Sequence, residues 1–179
     1  MAFLAIVLIA ACSPVRVNQD YLQTVDFSAI HSYGWRESTP VASADPRVNN
    51  PLLRQRFHDA IEQTLNQRGY RRAERPDVLV DYIYAIVNRL DADQFNSGFG
   101  LGLGHRRAFG GFFGTAPVVS QYDTSLLVID IYDASGKRLL WRGSGSEILT
   151  TYSNPADLTA AVNRTVAAIL AQFPPPAAH

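Results

Sequence analysis

The chain has 179 residues, 16 Lys+Arg against 16 Asp+Glu, 47% apolar and 18% charged side chains, and one cysteine. That is a globular balance, and the length suits one domain with a sizeable core. Zero net charge removes the long-range attraction on which nucleic-acid binding draws, and a lone cysteine excludes a disulfide framework or a multi-cysteine metal cluster.

Residues 1–11 read MAFLAIVLIAA, with no charged side chain. As a helix they would span about 16 Å, roughly half of a bilayer's hydrocarbon core. This is too short for a transmembrane anchor and suits the apolar region of a secretory signal peptide. Cys12 follows at once, and Ile9, Ala10, Ala11 and Cys12 resemble a bacterial lipobox. Small residues before the cut let a peptidase reach the backbone, and the thiol accepts diacylglycerol. Residues 1–11 are therefore expected to be removed, leaving Cys12 lipidated with palmitate-type chains; two or more such chains make a stable membrane anchor. The basic stretch usual ahead of the apolar region is missing, and a start codon upstream of Met1 would supply it. Residue 13 is Ser, not the Asp that holds many Gram-negative lipoproteins at the inner membrane. The resemblance thus implies an outer-membrane lipoprotein facing the periplasm.

Residues 12–21 read as the lipidated cysteine and a polar tether, followed by a single domain over 22–173 and a Pro-rich tail over 174–179. Leu22–Phe27 and His31–Arg36 are expected as strands around a Ser28-Ala29-Ile30 turn. Asn50 as N-cap and Pro51 at the first position open a helix that buries Leu53, Phe57, Ala60, Ile61, Thr64 and Leu65, and Gly69 ends it. After Pro76-Asp77, the β-branched and aromatic run Val78–Val87 reads as a strand. Tyr122–Asp133 and Lys137–Leu149 read as a hairpin about Ala134-Ser135-Gly136, with Gly143 and Gly145 marking a bulge or a close backbone approach. Asn154 and Pro155 open a second helix whose stripe is Leu158, Ala161, Val162, Thr165, Val166 and Ile169, and Phe173 with three prolines stops it. The order ββαβ, long loop, ββα implies an α+β two-layer sandwich, a mostly antiparallel sheet with two helices.

Several segments together carry a resemblance: Val25-Asp26-Phe27-Ser28 with Tyr33-Gly34-Trp35, Asn50-Pro51-Leu52 leading to Gln67-Arg68-Gly69-Tyr70, and Pro76-Asp77-Val78-Leu79-Val80. Further on come Leu127–Asp133, Leu140-Trp141-Arg142-Gly143 and Ile169–Pro175. In this order and spacing, from about residue 22 to 175, they resemble the bacterial lipoproteins grouped as domain of unknown function 4136. The resemblance implies a secreted, lipid-anchored α+β domain and supplies no catalytic residues.

The loop of about 92–117 is unusual. Seven of the 12 glycines lie between Gly98 and Gly114, and five of the nine phenylalanines between Phe95 and Phe113. A phosphate-binding loop would need Gly-Lys-Ser/Thr, yet the only lysine is Lys137; a dinucleotide fingerprint would need a glycine where His105 stands. Nucleotide binding is therefore not expected. A gap of this length is either a plain insertion in a long hairpin or a contact loop. As a contact loop, Phe99, Leu101, Leu103, Phe109, Phe112 and Phe113 would offer apolar area and His105, Arg106 and Arg107 charge, to lipid headgroups, an envelope protein or another copy of the chain.

Other clusters have bland and sharp readings. Arg54, Arg56, Arg68, Arg71, Arg72 and Arg75 against Asp59, Glu62 and Glu74 form either a solvated face or a weak contact for anionic polymers. His58 and Glu62 lie one helical turn apart with no third ligand nearby, which fits a surface pair and not a metal site. Asp81 and Asp130 interrupt apolar strands; they face solvent or a nearby Arg or Tyr, or else approach each other as a glycosidase pair would. Ser144 in Gly143-Ser144-Gly145 is not a nucleophile elbow. The composite expectation is a non-catalytic binding or structural module with no cofactor, held to the membrane through Cys12, and the alternative is an envelope glycan hydrolase built on Asp81 and Asp130.

Overall fold

The computed structural model describes residues 15–37, 45–90, 121–148 and 154–176. Within them lie strands β1 (Arg16–Tyr21), β2 (Ser32–Trp35), β3 (Arg71–Arg72), β4 (Val78–Leu90), β5 (Gln121–Asp133) and β6 (Leu139–Ile148), with helices α1 (Pro51–Gln67) and α2 (Pro155–Leu170). The strands form one sheet in the order β1-β6-β5-β4-β2-β3. The pairings from β1 through β4 are antiparallel, and those joining β4 to β2 and β2 to β3 are parallel. One mixed sheet with two helices is the expected α+β class.

Both helices begin as the sequence dictates. The Asn50 side chain accepts from the Leu52 and Leu53 amides, and Asn154 accepts from the Asp157 amide, with proline at the first turn of each helix. Gly69, at φ +92°, ends α1 in the left-handed region. Leu53, Phe57, Ala60, Ile61 and Leu65 of α1 are buried, as are Ala161, Val162, Thr165, Val166, Ile169 and Leu170 of α2. Thr64 and Leu158 are only partly buried. Against them the sheet presents Tyr33, Val78, Val80, Leu127, Ile129, Ile131 and Trp141, all at 2% exposure or less. The alternation of a strand leaves Leu79, Asp81, Ile83, Leu126, Val128, Asp130 and Tyr132 on the opposite, helix-free face.

Gly143 and Gly145 explain how α2 approaches the sheet. A Cβ on Gly143 would overlap Cη2 of the Trp141 ring and stand 2.6 Å from Ile169 Cγ2; one on Gly145 would stand 2.9 Å from Ile169 Cδ1. The two glycines therefore serve close approach. The bulge lies elsewhere, between the Ile131–Trp141 and Tyr132–Leu139 pairings, so that Leu140 is the extra residue.

Three expectations are corrected. The stretch ending at Tyr21, expected as part of a tether over 12–21, is strand β1 from Arg16 onward, hydrogen-bonded to β6. The domain thus starts well before residue 22. Leu22–Phe27 is not a strand: Asp26 caps a short 3-10 turn over Phe27–Ala29 by accepting from the Ser28 amide. That hydrogen bond satisfies the local backbone without a neighbouring strand. Within the expected Pro-rich tail, Pro175 is buried, and Pro174–Pro176 form one wall of a groove of about 440 Å³ whose other wall is Tyr21–Ser28.

The start of β4 is tied to the start of β2 by Asp77, whose carboxylate accepts from the His31 amide (3.0 Å), the Ser32 amide (2.9 Å) and the Ser32 hydroxyl (2.7 Å). These donors, the His31 amide foremost, hold the carboxyl below its ordinary 3.8. A depressed carboxyl contributes stability that is present above the ordinary value and is lost as pH falls through the folded one. Thermal stability should therefore decline on acidification below about pH 4, and Asp77→Asn should flatten that decline. Melting curves at neutral and acid pH check this; an equal acid loss in the Asn variant would contradict it.

Candidate functional site

The expected lipidation site Cys12, its lipobox Ile9, Ala10 and Ala11, and the contact-loop residues Phe99, His105, Arg106, Arg107, Phe109, Phe112 and Phe113 all lie outside the described residues. The framework of that loop is nevertheless defined. Leu90 at the end of β4 pairs with Gln121 at the start of β5, so the described residues that flank the segment 91–120 stand one strand spacing apart, about 4.8 Å.

The helix-free face of the sheet carries the charge constellation. Register places Asp81 directly opposite Asp130 on neighbouring strands, so the two carboxylates share one face. Like charges so placed repel each other. Two arginines offset this from either side. Arg142 clamps Asp130 with both guanidinium arms, Nε to Oδ1 and Nη2 to Oδ2 each at 2.7 Å. Arg36 reaches Asp81 Oδ2 at 3.3 Å, donates to the Gly136 carbonyl at 3.1 Å, and lies 4.3 Å over the Tyr132 ring. The Tyr132 hydroxyl points at Asp130 Oδ2 from 3.4 Å. Burial, and then the nearby Asp130 charge, push the Tyr132 phenol above its usual value, while the bond to Asp130 raises the Arg142 guanidinium. Beyond Arg142 the row continues to Asp20, its cross-strand partner on β1.

The chemistry available to this row is limited by those contacts. A glycosidase pair needs one carboxyl able to give a proton and another open to the sugar or a water. Both Asp130 oxygens are engaged by Arg142, and the side chain is 3% exposed. The carboxylates are brought together as the hydrolase alternative required, but in an Arg-Asp-Asp-Arg row that braces the sheet.

The other clusters resolve into structural contacts. Glu62 Oε1 accepts from Trp35 Nε1 at 2.8 Å and from Arg72 at 3.0 Å, while His58 Nε2 stands 3.9 Å away and the His58 ring stacks on Trp35 at 4.1 Å. Among the described residues no group of three or more His, Cys, Asp or Glu could hold a metal. The arginines are divided among separate tasks: Arg56 donates to Thr159 of α2, Arg68 to the Phe173 carbonyl, Arg72 to Glu62 and Arg54 to Asn49. In the groove beside the Pro-rich tail, Asp26 is occupied with capping, and its bonds to Ser28 hold its carboxyl below the usual value. No described helix is long and apolar enough to cross a membrane.

The sequence matches the family described as Domain of unknown function (DUF4136) over residues 17–175. The chain belongs to the DUF4136 family. The match begins within β1 and ends within the Pro-rich segment, so both lie inside the DUF4136 unit. No curated protein matches this DUF4136 chain. Among solved structures, it is similar to a PDZ domain protein from Parabacteroides distasonis (TM-score 0.54, 17% identity), covering 89% of this chain and 35% of that one. The chain thus spans about a third of that protein's length, and at this identity the likeness concerns the fold alone. The PelC dodecamer from Paraburkholderia phytofirmans is also similar, with TM-score 0.46, 12% identity and coverage of 88% of this chain and 96% of that one.

Proposed function

We propose that this DUF4136 chain is a lipid-anchored module of the Gram-negative cell envelope, held at the outer membrane through Cys12 and facing the periplasm. Its role is binding or structural, with no catalysis and no cofactor. The observation that carries the reading is the Ile9-Ala10-Ala11-Cys12 sequence placed directly after an uncharged apolar run. Arg16 is four residues beyond Cys12, so a lipidated Cys12 would keep the start of β1 within about 14 Å of the bilayer surface. The occupied Asp81 and Asp130 carboxylates support a non-catalytic role. The Gly/Phe-rich segment, joined to the sheet at Leu90 and Gln121, supplies the contact surface for an envelope protein or lipid headgroups, with Phe99, Phe109, Phe112 and Phe113 as apolar anchors.

Membrane fractionation tests the anchor. The wild type should sediment with membranes and incorporate labelled palmitate, and Cys12→Ala should do neither; equal partitioning of the two forms would overturn the anchor. Crosslinking in the intact envelope tests the contact surface. Removal of residues 97–115 from a folded, correctly sorted protein should eliminate its crosslinked partners, and an unchanged partner set would overturn the loop's role.

A further inference from the structure

The two edges of the sheet are chemically different. At one end, β3 is only Arg71–Arg72, followed by Arg75 and Pro76. Its like charges and short length block the addition of another strand. At the other end, β1 is a six-residue strand, RVNQDY, whose residues 16, 18, 19 and 20 are exposed.

The hydrogen-bond phase of β1 is fixed by its continuation. The Leu22 amide donates to the Leu140 carbonyl at 2.9 Å. In an antiparallel ladder hydrogen-bonded positions alternate, so Arg16, Asn18 and Asp20 direct their backbone groups to β6. Val17, Gln19 and Tyr21 direct theirs outward, along the edge that carries no second partner strand among the described residues. The side chains alternate in the complementary sense. Gln19 faces the helices, where its Oε1 accepts from the buried Trp141 indole at 3.1 Å, so Arg16, Asn18 and Asp20 line the helix-free face.

We propose that the β1 edge pairs with β1 of a second copy of this chain, antiparallel about a two-fold axis at Asn18, making one continuous sheet across the dimer. Outward-facing Val17 then lies opposite the partner copy's outward-facing Gln19, and the reverse, closing backbone hydrogen bonds on both sides of the axis. In the same register Arg16 of each copy faces Asp20 of the other, so two ion pairs form on the helix-free face. Shifting the register by two residues keeps the backbone phase but separates Arg16 from Asp20. Charge thus selects the Asn18-centred pairing. The proposal rests on the edge geometry alone and is independent of the lipid anchor.

Cysteine crosslinking tests it. Asn18 would face its own copy at a non-hydrogen-bonded position, with Cα atoms about 4.5 Å apart, inside the range a disulfide spans. Leu22 is also exposed, at 39%, but its two copies would lie about 27 Å apart. In the full-length protein under mild oxidation, Asn18→Cys should give a disulfide-linked dimer, while Leu22→Cys and the wild type, which reports on Cys12, should stay monomeric. Adding Arg16→Glu to Asn18→Cys places Glu opposite Asp20 and should cut the dimer yield roughly tenfold or more. Circular dichroism melts establish that each variant is folded. A folded Asn18→Cys protein without dimer, equal crosslinking through Leu22→Cys, or indifference to Arg16→Glu would overturn the pairing.

Discussion

Arg142→Ala is expected to destabilise the protein by about 3 kcal/mol, a fall in melting temperature of roughly 6–12 °C for a chain of this size. The cost falls on what remains and not on the arginine that is lost. Asp130 is 2% exposed and Asp81 faces it on the neighbouring strand, so removal of the guanidinium leaves a buried carboxylate beside a like charge. Arg142 itself is 47% exposed and returns to water readily. The reverse substitution, Asp130→Asn, should therefore be milder, about 1 kcal/mol. In the double variant Asp130→Asn should recover most of what Arg142→Ala loses. Thermal or urea melts of the four proteins decide the matter. Equal costs for the two single changes, or simple additivity in the double variant, would contradict the burial asymmetry on which the argument rests.

Gly143→Ala should be of similar size, about 3 kcal/mol, at the upper end of the overpacking range. The added methyl group would meet Trp141 and Ile169, both at 0% exposure. Neither can yield easily. The Trp141 ring is held by the Gln19 hydrogen bond and packs against Phe173 with centroids 5.3 Å apart, while Ile169 belongs to a helix locked by its Asn154 cap. Gly145→Ala should cost less, about 1 kcal/mol, because its added methyl group would stand 2.9 Å from Ile169 Cδ1 and Cγ1, a milder approach than that of Gly143, and would have no contact with the Trp141 ring among its nearest atoms. Melts that rank Gly145→Ala as the more damaging change would contradict this account of the α2 seat.

What could be read from the sequence divides along physical lines. The helices were legible because Asn-Pro starts and glycine or proline stops are local chemistry, and because one apolar stripe on each repeats at helical spacing. Strands β4, β5 and β6 were legible because β4 is a β-branched and aromatic run and a short glycine-containing link joins the β-patterned runs of β5 and β6. β1 was not. As an edge strand it places only two apolar side chains, Val17 and Tyr21, toward the core, and its polar remainder reads as tether. The reverse holds at Leu22–Phe27, which reads as a strand, while the informative signal is Asp26 two residues before Ser28, a capping pair. The parallel joining of β2 to β4 has no local signature, since it depends on where α1 returns the chain. For the same reason the sequence could mark Asp81 and Asp130 as out of place in apolar strands but could not reveal their partners. Arg36 follows directly on β2 and Arg142 lies in β6, so only the assembled sheet brings them to the pair.

In the proposed function a lipid on Cys12 holds this DUF4136 domain at the envelope, with β1 beginning close to the membrane surface. Mass spectrometry of the N-terminal peptide from protein purified out of its native membrane tests that most directly. A peptide beginning at Cys12 and carrying diacylglycerol on sulfur is the predicted result. A peptide that retains Ala10 and Ala11 ahead of an unmodified Cys12 would contradict it.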